Sequence, residues 1–414
     1  MLSFKLVLST KIFKTMIKKY FALLLLPILF FFNSAQAQTE EDLSFEDLSF
    51  LEGLNALSVA VPFLLIAPDS RAASMGDVGV ASTPDANSQH WNPAKYAFIS
   101  KDKGISYSYT PWLNNLIKDM DLNYLVGYYR FDDKQVISAS MLYFSMGTII
   151  FTDDQGTKLL DHNANEFSLD MAYSRKFSEK IAGSIGFRYI RSDLTGGFAQ
   201  QGQLAKAGNS VAADISMYYE TPLNISDKAS QLAFGFNISN IGSKISYNEE
   251  PIKQFIPTNL RLGGRFSVDM DMYNKLSFIV DANKLLVPTP PIYDIITNEI
   301  QYGYDSDVPL ITGMFQSFYD APGGFREEIR EISLAGGLEY VYAGQFALRA
   351  GYFGEHSTKG NRKYFTIGAG VKYNVFNLDF AYLIPTAGQS NPLANTFRFT
   401  LGFDFEPARK GKKK

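Results

Sequence analysis

Between Phe397 and Phe405 every second side chain is large and apolar: Phe397, Phe399, Leu401, Phe403 and Phe405 alternate with Arg398, Thr400, Gly402 and Asp404. Successive side chains of a strand point to opposite faces, so the two sets lie on opposite sides of one ribbon. A soluble sheet would bury the apolar row against a second layer. This chain repeats the pattern fourteen times after residue 103 and has almost no helical segment to cover it. The arrangement that satisfies every strand is a closed, all-β barrel with its apolar face in lipid.

The alternating stretches run over 104–110, 120–130, 134–145, 165–176, 180–192, 210–220, 231–240, 258–267, 275–283, 331–341, 345–353, 363–373, 376–384 and 395–405. Many have the roughly ten residues that a tilted strand needs to cross the hydrocarbon core. An even number lets both ends of a single-chain barrel emerge on one side. The connections alternate in length. Those at Phe131 to Asp133, Phe177 to Glu179, Tyr342 to Gly344 and Asn374 to Val375 are two or three residues, whereas Met146 to Ala164, Asp193 to Asn209, Ile241 to Pro257 and Lys284 to Arg330 are long. Short periplasmic turns and long outer loops are the habit of outer-membrane barrels, which predicts a fourteen-stranded antiparallel barrel with both termini in the periplasm.

The amino-terminus supports that compartment. Lys5, Lys11, Lys14, Lys18 and Lys19 precede the apolar run Tyr20 to Phe32, and Ala35-Gln36-Ala37 follows as a small-x-small cleavage signature. The run is too short to span a bilayer, so residues 1–37 are expected to be a removable export signal, with either Met1 or Met16 as its start. The chain holds 39 basic and 42 acidic residues, and five of the lysines belong to the signal, leaving a net charge of −8 beyond it. That sign argues against nucleic-acid partners. Zero cysteines remove disulfides, thiolate nucleophiles and zinc–thiolate sites. The 34 Phe and 24 Tyr suit a lipid-facing surface with interfacial girdles.

The inward set is polar and mixed. Arg261, Gly263 and Arg265 alternate with Leu260, Leu262 and Phe266, and Glu166, Ser168, Asp170 and Ala172 alternate with Phe167, Leu169, Met171 and Tyr173. Arg188, Asp214, Glu339, Asp379, Arg398 and Asp404 join the same face, where charges of both signs are expected to pair or hydrate a lumen. Glycines inside strands, among them Gly183, Gly186, Gly263, Gly264, Gly336, Gly337, Gly368 and Gly370, are expected to relieve crowding where strands bend and where a plug meets the wall.

Residues 38–103 do not read as barrel. An acidic leader, Glu40-Glu41-Asp42 to Glu52, precedes a turn-rich segment suited to plugging a lumen. That segment carries Arg71-Ala72-Ala73-Ser74-Met75-Gly76 and, downstream, Asn92-Pro93-Ala94. With the strand pattern it resembles the barrel superfamily of long-chain fatty-acid transporters, whose amino-terminal hatch carries Asn-Pro-Ala. The longer run Pro68 to Ala81, followed by Asp85-Ala86-Asn87-Ser88-Gln89-His90-Trp91-Asn92-Pro93-Ala94-Lys95-Tyr96, is similar to the PorV family of type IX secretion outer-membrane shuttles, over residues of about 50 to 405. The resemblance implies a structural hatch at Arg71, Met75, Gly76, Asn92, Pro93 and Ala94. It also implies a non-enzymatic component that takes secreted cargo by its carboxy-terminal signal domain at the SprA or Sov translocon and delivers it to the PorU-type attachment protein.

Catalytic chemistry finds little support in the residues. His90, His162 and His356 have no metal-ligand spacing, and Asp153-Asp154 reads as solvated loop charge. Asp269 and Asp271 open like a calcium loop but continue with Tyr273 and Lys275, and so read as a turn. No phosphate loop or nucleophile elbow is present, and no cofactor is expected. The 284–330 loop differs from the others: Pro288, Tyr293, Tyr302, Phe315, Phe318 and Tyr319 give it the proline stiffness and aromatic area of a protein interface, or of a lid packed on itself. The tail from Arg409 to Lys414, within 406–414, is expected to be solvated in the periplasm. Two rivals remain: a transporter of hydrophobic small molecules, which would need an apolar track through the lumen, and a lipid-modifying outer-membrane enzyme.

Overall fold

The computed structural model describes residues 55–405 apart from 113–118, 154, 198, 201, 202, 205, 248–252, 295 and 387–395. The expected export signal, the acidic leader and the basic tail lie outside the described residues.

Fourteen antiparallel strands form a closed barrel. They are β1 (Lys103–Pro111), β2 (Asp121–Arg130), β3 (Gln135–Thr152), β4 (Lys158–Lys176), β5 (Ile181–Asp193), β8 (Gly208–Ile225), β9 (Lys228–Gly242), β10 (Asn259–Asp269), β11 (Asn274–Leu285), β14 (Ser333–Tyr342), β15 (Phe346–Gly354), β16 (Lys363–Tyr373), β17 (Phe376–Pro385) and β18 (Phe397–Phe405). Each pairs with its sequence neighbour in the ring, and β1 closes on β18 from Lys103↔Phe405 to Tyr109↔Phe399. Two small hairpins stand in the loops: β6 (Ala199–Gln200) with β7 (Gln203–Leu204), and β12 (Ile292–Tyr293) with β13 (Ile300–Tyr302). Among the described residues no helix is long and apolar enough to cross a membrane.

The short connections are tight because their residues accept left-handed backbone. Ser226 and Asp227 (φ 52° and 64°) close β8 on β9, and Ala343 with Gly344 (φ 52° and 65°) closes β14 on β15, matching the twist of the strands they join. At the opposite end one expectation is corrected. Residues 146–164 are mostly strand: β3 continues to Thr152 and β4 starts at Lys158. A bulge between Ser145 and Thr148, with Gly147 at φ 76°, shifts the register and interrupts the alternation by which the strand would have been recognised.

Residues 55–102 lie inside the ring as a plug of short elements: 3-10 turns at Pro62–Leu65 and Pro93–Phe98, and helices α1 (Ser70–Ala73) and α2 (Ser88–Trp91). Asp69 caps α1 by accepting from Ala72 N and also takes the Trp91 Nε1 proton at 2.6 Å, tying the two helices together. The core is the seam between plug and wall. Phe63 and Leu64 pack on Leu122, Tyr124, Val126, Leu142 and Phe144, while Met75 and Val78 pack on Ile279, Phe353 and Tyr364. Gly351 is what lets the wall approach: a Cβ there would lie 2.0 Å from the Met75 carbonyl carbon. Gly263, Gly337 and Gly368 likewise face the plug, but Gly336 has open space around its missing Cβ, so crowding does not explain it.

Candidate functional site

Every hatch residue singled out in the sequence reaches the barrel wall or the plug's own frame. Arg71 makes a two-toothed ion pair with Glu339 of β14 (Nε to Oε1 3.0 Å, Nη2 to Oε2 2.9 Å) and turns Nη1 back to Asp85 at 2.7 Å. Glu339 also receives Arg349 Nε at 2.9 Å, and Arg349 Nη1 reaches Asp379 at 2.6 Å. Gly76, at φ 77°, donates its N–H to Thr366 Oγ1. A side chain there would collide with the Tyr352 backbone. Met75 is fully buried against Gly337 and Gly351.

Asn92-Pro93-Ala94 is a stitch. The Asn92 amide donates to Val80 O within the plug and to Met217 O on β8, both at 2.9 Å, while its Oδ1 accepts from Ala94 N. Pro93 opens the 3-10 turn, where its missing N–H costs nothing, and its carbonyl accepts from Ser174 on β4. Ala94 N is shared with Ser216 Oγ. Ala94 is fully buried.

Most of the inward charges are paired. Arg188 joins Asp170 and Asn240 and sits 3.1 Å from Asp214, binding β4, β5, β8 and β9 at one level. Arg398 reaches Asp77 of the plug at 3.2 Å, and Asp404 accepts from Asn377. Arg261 stacks on Trp91, and Arg265 holds Ala81 O and Tyr218 Oη. Charge of both signs crosses the lumen repeatedly, and the apolar cluster around Phe63 is occupied by the chain itself.

The long loop between β11 and β14 is built rather than loose. It carries the β12–β13 hairpin and helices α3 (Leu310–Gln316) and α4 (Phe325–Arg330). Beneath them lies a buried ionic knot: Lys284 Nζ meets Glu328 and Glu331 at 3.0 and 2.7 Å, and Lys359 meets Glu327 at 2.5 Å and Glu331 at 3.0 Å. Thr289 N donates to Asp320, whose other oxygen has no hydrogen-bond partner among the described residues, and burial pushes the Asp320 carboxyl up to about 6. The knot fastens α4 to the barrel rim. Of the six loop residues read from sequence, Pro288 is buried against Gly313, while Tyr293, Tyr302, Phe315, Phe318 and Tyr319 are exposed. Sequence reading missed Ile296 and Phe325, exposed by 94% and 77%; the signals were an Ile-Ile pair between polar residues and a lone Phe after Gly323-Gly324.

The three histidines are far apart in role: His90 in the plug, His162 beside Asp193, and His356 bonded to Thr358. Among the described residues no group of three or more acidic or histidine side chains is placed to hold a metal.

A closed fourteen-stranded barrel with an apolar exterior, a charged lumen and an amino-terminal plug is an outer-membrane-type barrel. The family described as type IX secretion system protein PorV matches residues 51–292, more than half the chain, and the chain belongs to that family. It is therefore a type IX secretion protein, of a family of secretion components and not of enzymes, and it associates with the components of that system. No curated protein sequence matches this chain. Among solved structures it resembles the Pseudomonas putida toluene transporter TodX (9% identity, TM-score 0.46, covering 84% of this chain and 97% of that one). It also resembles the Ralstonia pickettii toluene transporter TbuX (9%, 0.43, 82% and 98%) and a Pseudomonas aeruginosa FadL homologue (10%, 0.41, 85% and 100%). Likeness of that degree carries no argument about what this chain does.

Proposed function

We infer that this barrel is a shuttle. It binds the carboxy-terminal signal domain of secreted cargo as it leaves the SprA or Sov translocon and carries it, by diffusion in the outer membrane, to the PorU-type attachment protein. The observation that carries this reading is the 286–332 loop: a long, internally structured loop, fastened by buried ion pairs, that holds Tyr293, Tyr302, Phe315, Phe318 and Tyr319 in solvent. Aromatics held rigid in this way lose little entropy on binding and are the residues in which interface energy concentrates. In this reading residues 1–37 are the export signal, residues 38–103 the leader and hatch, the short turns and both termini are periplasmic, and the long loops face outward.

The rival is a transporter of hydrophobic small molecules, for which the apolar cluster around Phe63, Leu122 and Phe144 is the favouring observation. Pro291 and Asp320 both lie beside Gly303, so residues 292–319 can be replaced by a short Gly/Ser linker without pulling the loop's ends apart. The replaced chain should still insert and fold, while secreted proteins stay in the periplasm or remain unprocessed. Changing Tyr293, Phe315 and Phe318 together to Ala should reproduce much of that defect. Normal surface display in both variants, with the barrel inserted, would remove the loop from the mechanism, and loss of hydrophobic solute uptake with normal secretion would favour the rival.

A further inference from the structure

Residues 285–325 contain no Lys or Arg, in a chain that has 39 of them, yet they include Asp294, Glu299, Asp305, Asp307 and Asp320. Asp320 is buried beside the ionic knot, where it accepts from Thr289 N, and Asp307 meets Lys244 at 2.9 Å. Asp294, Glu299 and Asp305 make no ion pair among the described residues. Asp294 is spent only on capping Ile296 and Thr297 N–H groups. These carboxylates rim the β12–β13 hairpin, whose Ile292, Tyr293, Ile300 and Tyr302 are exposed. Among the described residues the hairpin pairs with no third strand, so its outer edge offers unpaired backbone N–H and C=O groups. Pro290 and Pro291 blunt the β12 side, leaving β13 as the better template.

We propose that this hairpin captures an extended segment of a partner protein by strand addition along β13, the segment presenting apolar side chains and flanked by Lys or Arg. Main-chain bonds would supply affinity, the exposed Ile and Tyr side chains the apolar contact, and the three carboxylates that have no cationic partner among the described residues the selection for a basic flank. The same negative rim disfavours an anionic lipid surface as the occupant. This deepens the shuttle reading and rests on it, since only an outward loop that meets secreted protein would use such an edge.

The test uses the full chain in lipid nanodiscs and fluorescent synthetic peptides of alternating Val and Thr. One peptide carries Lys at both ends, one carries Glu, and one is the Lys peptide with alternate backbone nitrogens methylated. The Lys peptide should bind with saturation, and weaken about tenfold between 50 and 300 mM salt and about tenfold in the D294N/E299Q/D305N variant. The Glu and methylated peptides should not saturate. Because Glu299 and Asp305 are exposed, and half-buried Asp294 holds only N–H groups of its own turn that an Asn oxygen can also accept, the variant should keep the parent's heat-modified migration. Equal, salt-independent binding of Lys and Glu peptides would overturn the charge selection, undiminished binding of the methylated peptide would overturn strand addition, and no binding by any peptide would overturn the whole proposal. If no peptide binds but the 292–319 replacement still blocks cargo display, this inference fails alone; normal display after that replacement brings down the shuttle reading as well.

Discussion

Glu339 shows how much one inward carboxylate does. It accepts both forks of Arg71 from the plug and Arg349 from the next strand, so removing its charge leaves two buried guanidiniums short of a partner. Breaking one side of a buried pair costs on the order of 3–5 kcal/mol. Glu339→Gln should therefore loosen the plug, seen as current bursts across a planar bilayer that the parent barrel lacks; a silent variant would show that the seat is held elsewhere. Gly351→Val should act by sterics at the same seat, pushing Met75 off the wall, whereas Gly336→Ala, with open space at its Cβ, should leave migration and conductance unchanged. Asn92 illustrates the limit of reading residues singly. In sequence it opens a plausible turn, and only the fold reveals its two amide bonds, one reaching 125 positions along the chain to Met217.

Strand β18 carries the test of the lipid face. Phe399 and Leu401 are exposed, while Thr400 turns inward and its Oγ1 accepts from Ser70 N at 2.8 Å. Phe399→Arg should cost on the order of 2–4 kcal/mol and impair assembly. Thr400→Ser keeps the hydroxyl and should assemble as the parent does; equal tolerance at both positions would mean that the face in lipid is misassigned. The long loop has its own test in pH. Burial raises the Asp320 carboxyl to about 6, above its ordinary range, so the fastened loop takes up a proton that the released loop does not. Fastening is then strongest below about pH 4 and weakens as pH rises through about 6. Proteolysis within 286–332 should be faster at pH 7.5 than at pH 5.5, and Asp320→Asn should flatten that dependence; a rate that does not change with pH in the parent removes Asp320 from the device.

At the scale of the whole molecule the prediction concerns orientation. The chain has no cysteine, so single cysteines give a clean label. An impermeant thiol reagent on intact cells should modify Ile296→Cys, in the long loop, and spare Met272→Cys, in the β10–β11 turn, although both side chains are highly exposed. Labelling at 272 would invert the topology. The strand pattern, the even count and the two lengths of connection were all readable along the chain, because pleat alternation has a period of two residues and needs only local sequence to declare itself. Where a bulge broke that period, at Gly147, the reading failed and a standing hairpin passed for a loop. The alternation also separated the inward charges from the lipid-facing residues, without naming their partners. That Arg71 would meet Glu339, 268 positions away, that Asn92 would stitch plug to wall, and that Pro288 would be buried while Ile296 stands in solvent were decided only by closure of the ring. Closure brings distant strands and the plug into one low-dielectric lumen, where each charge takes the nearest partner that geometry allows, and no spacing along the chain encodes which partner that is.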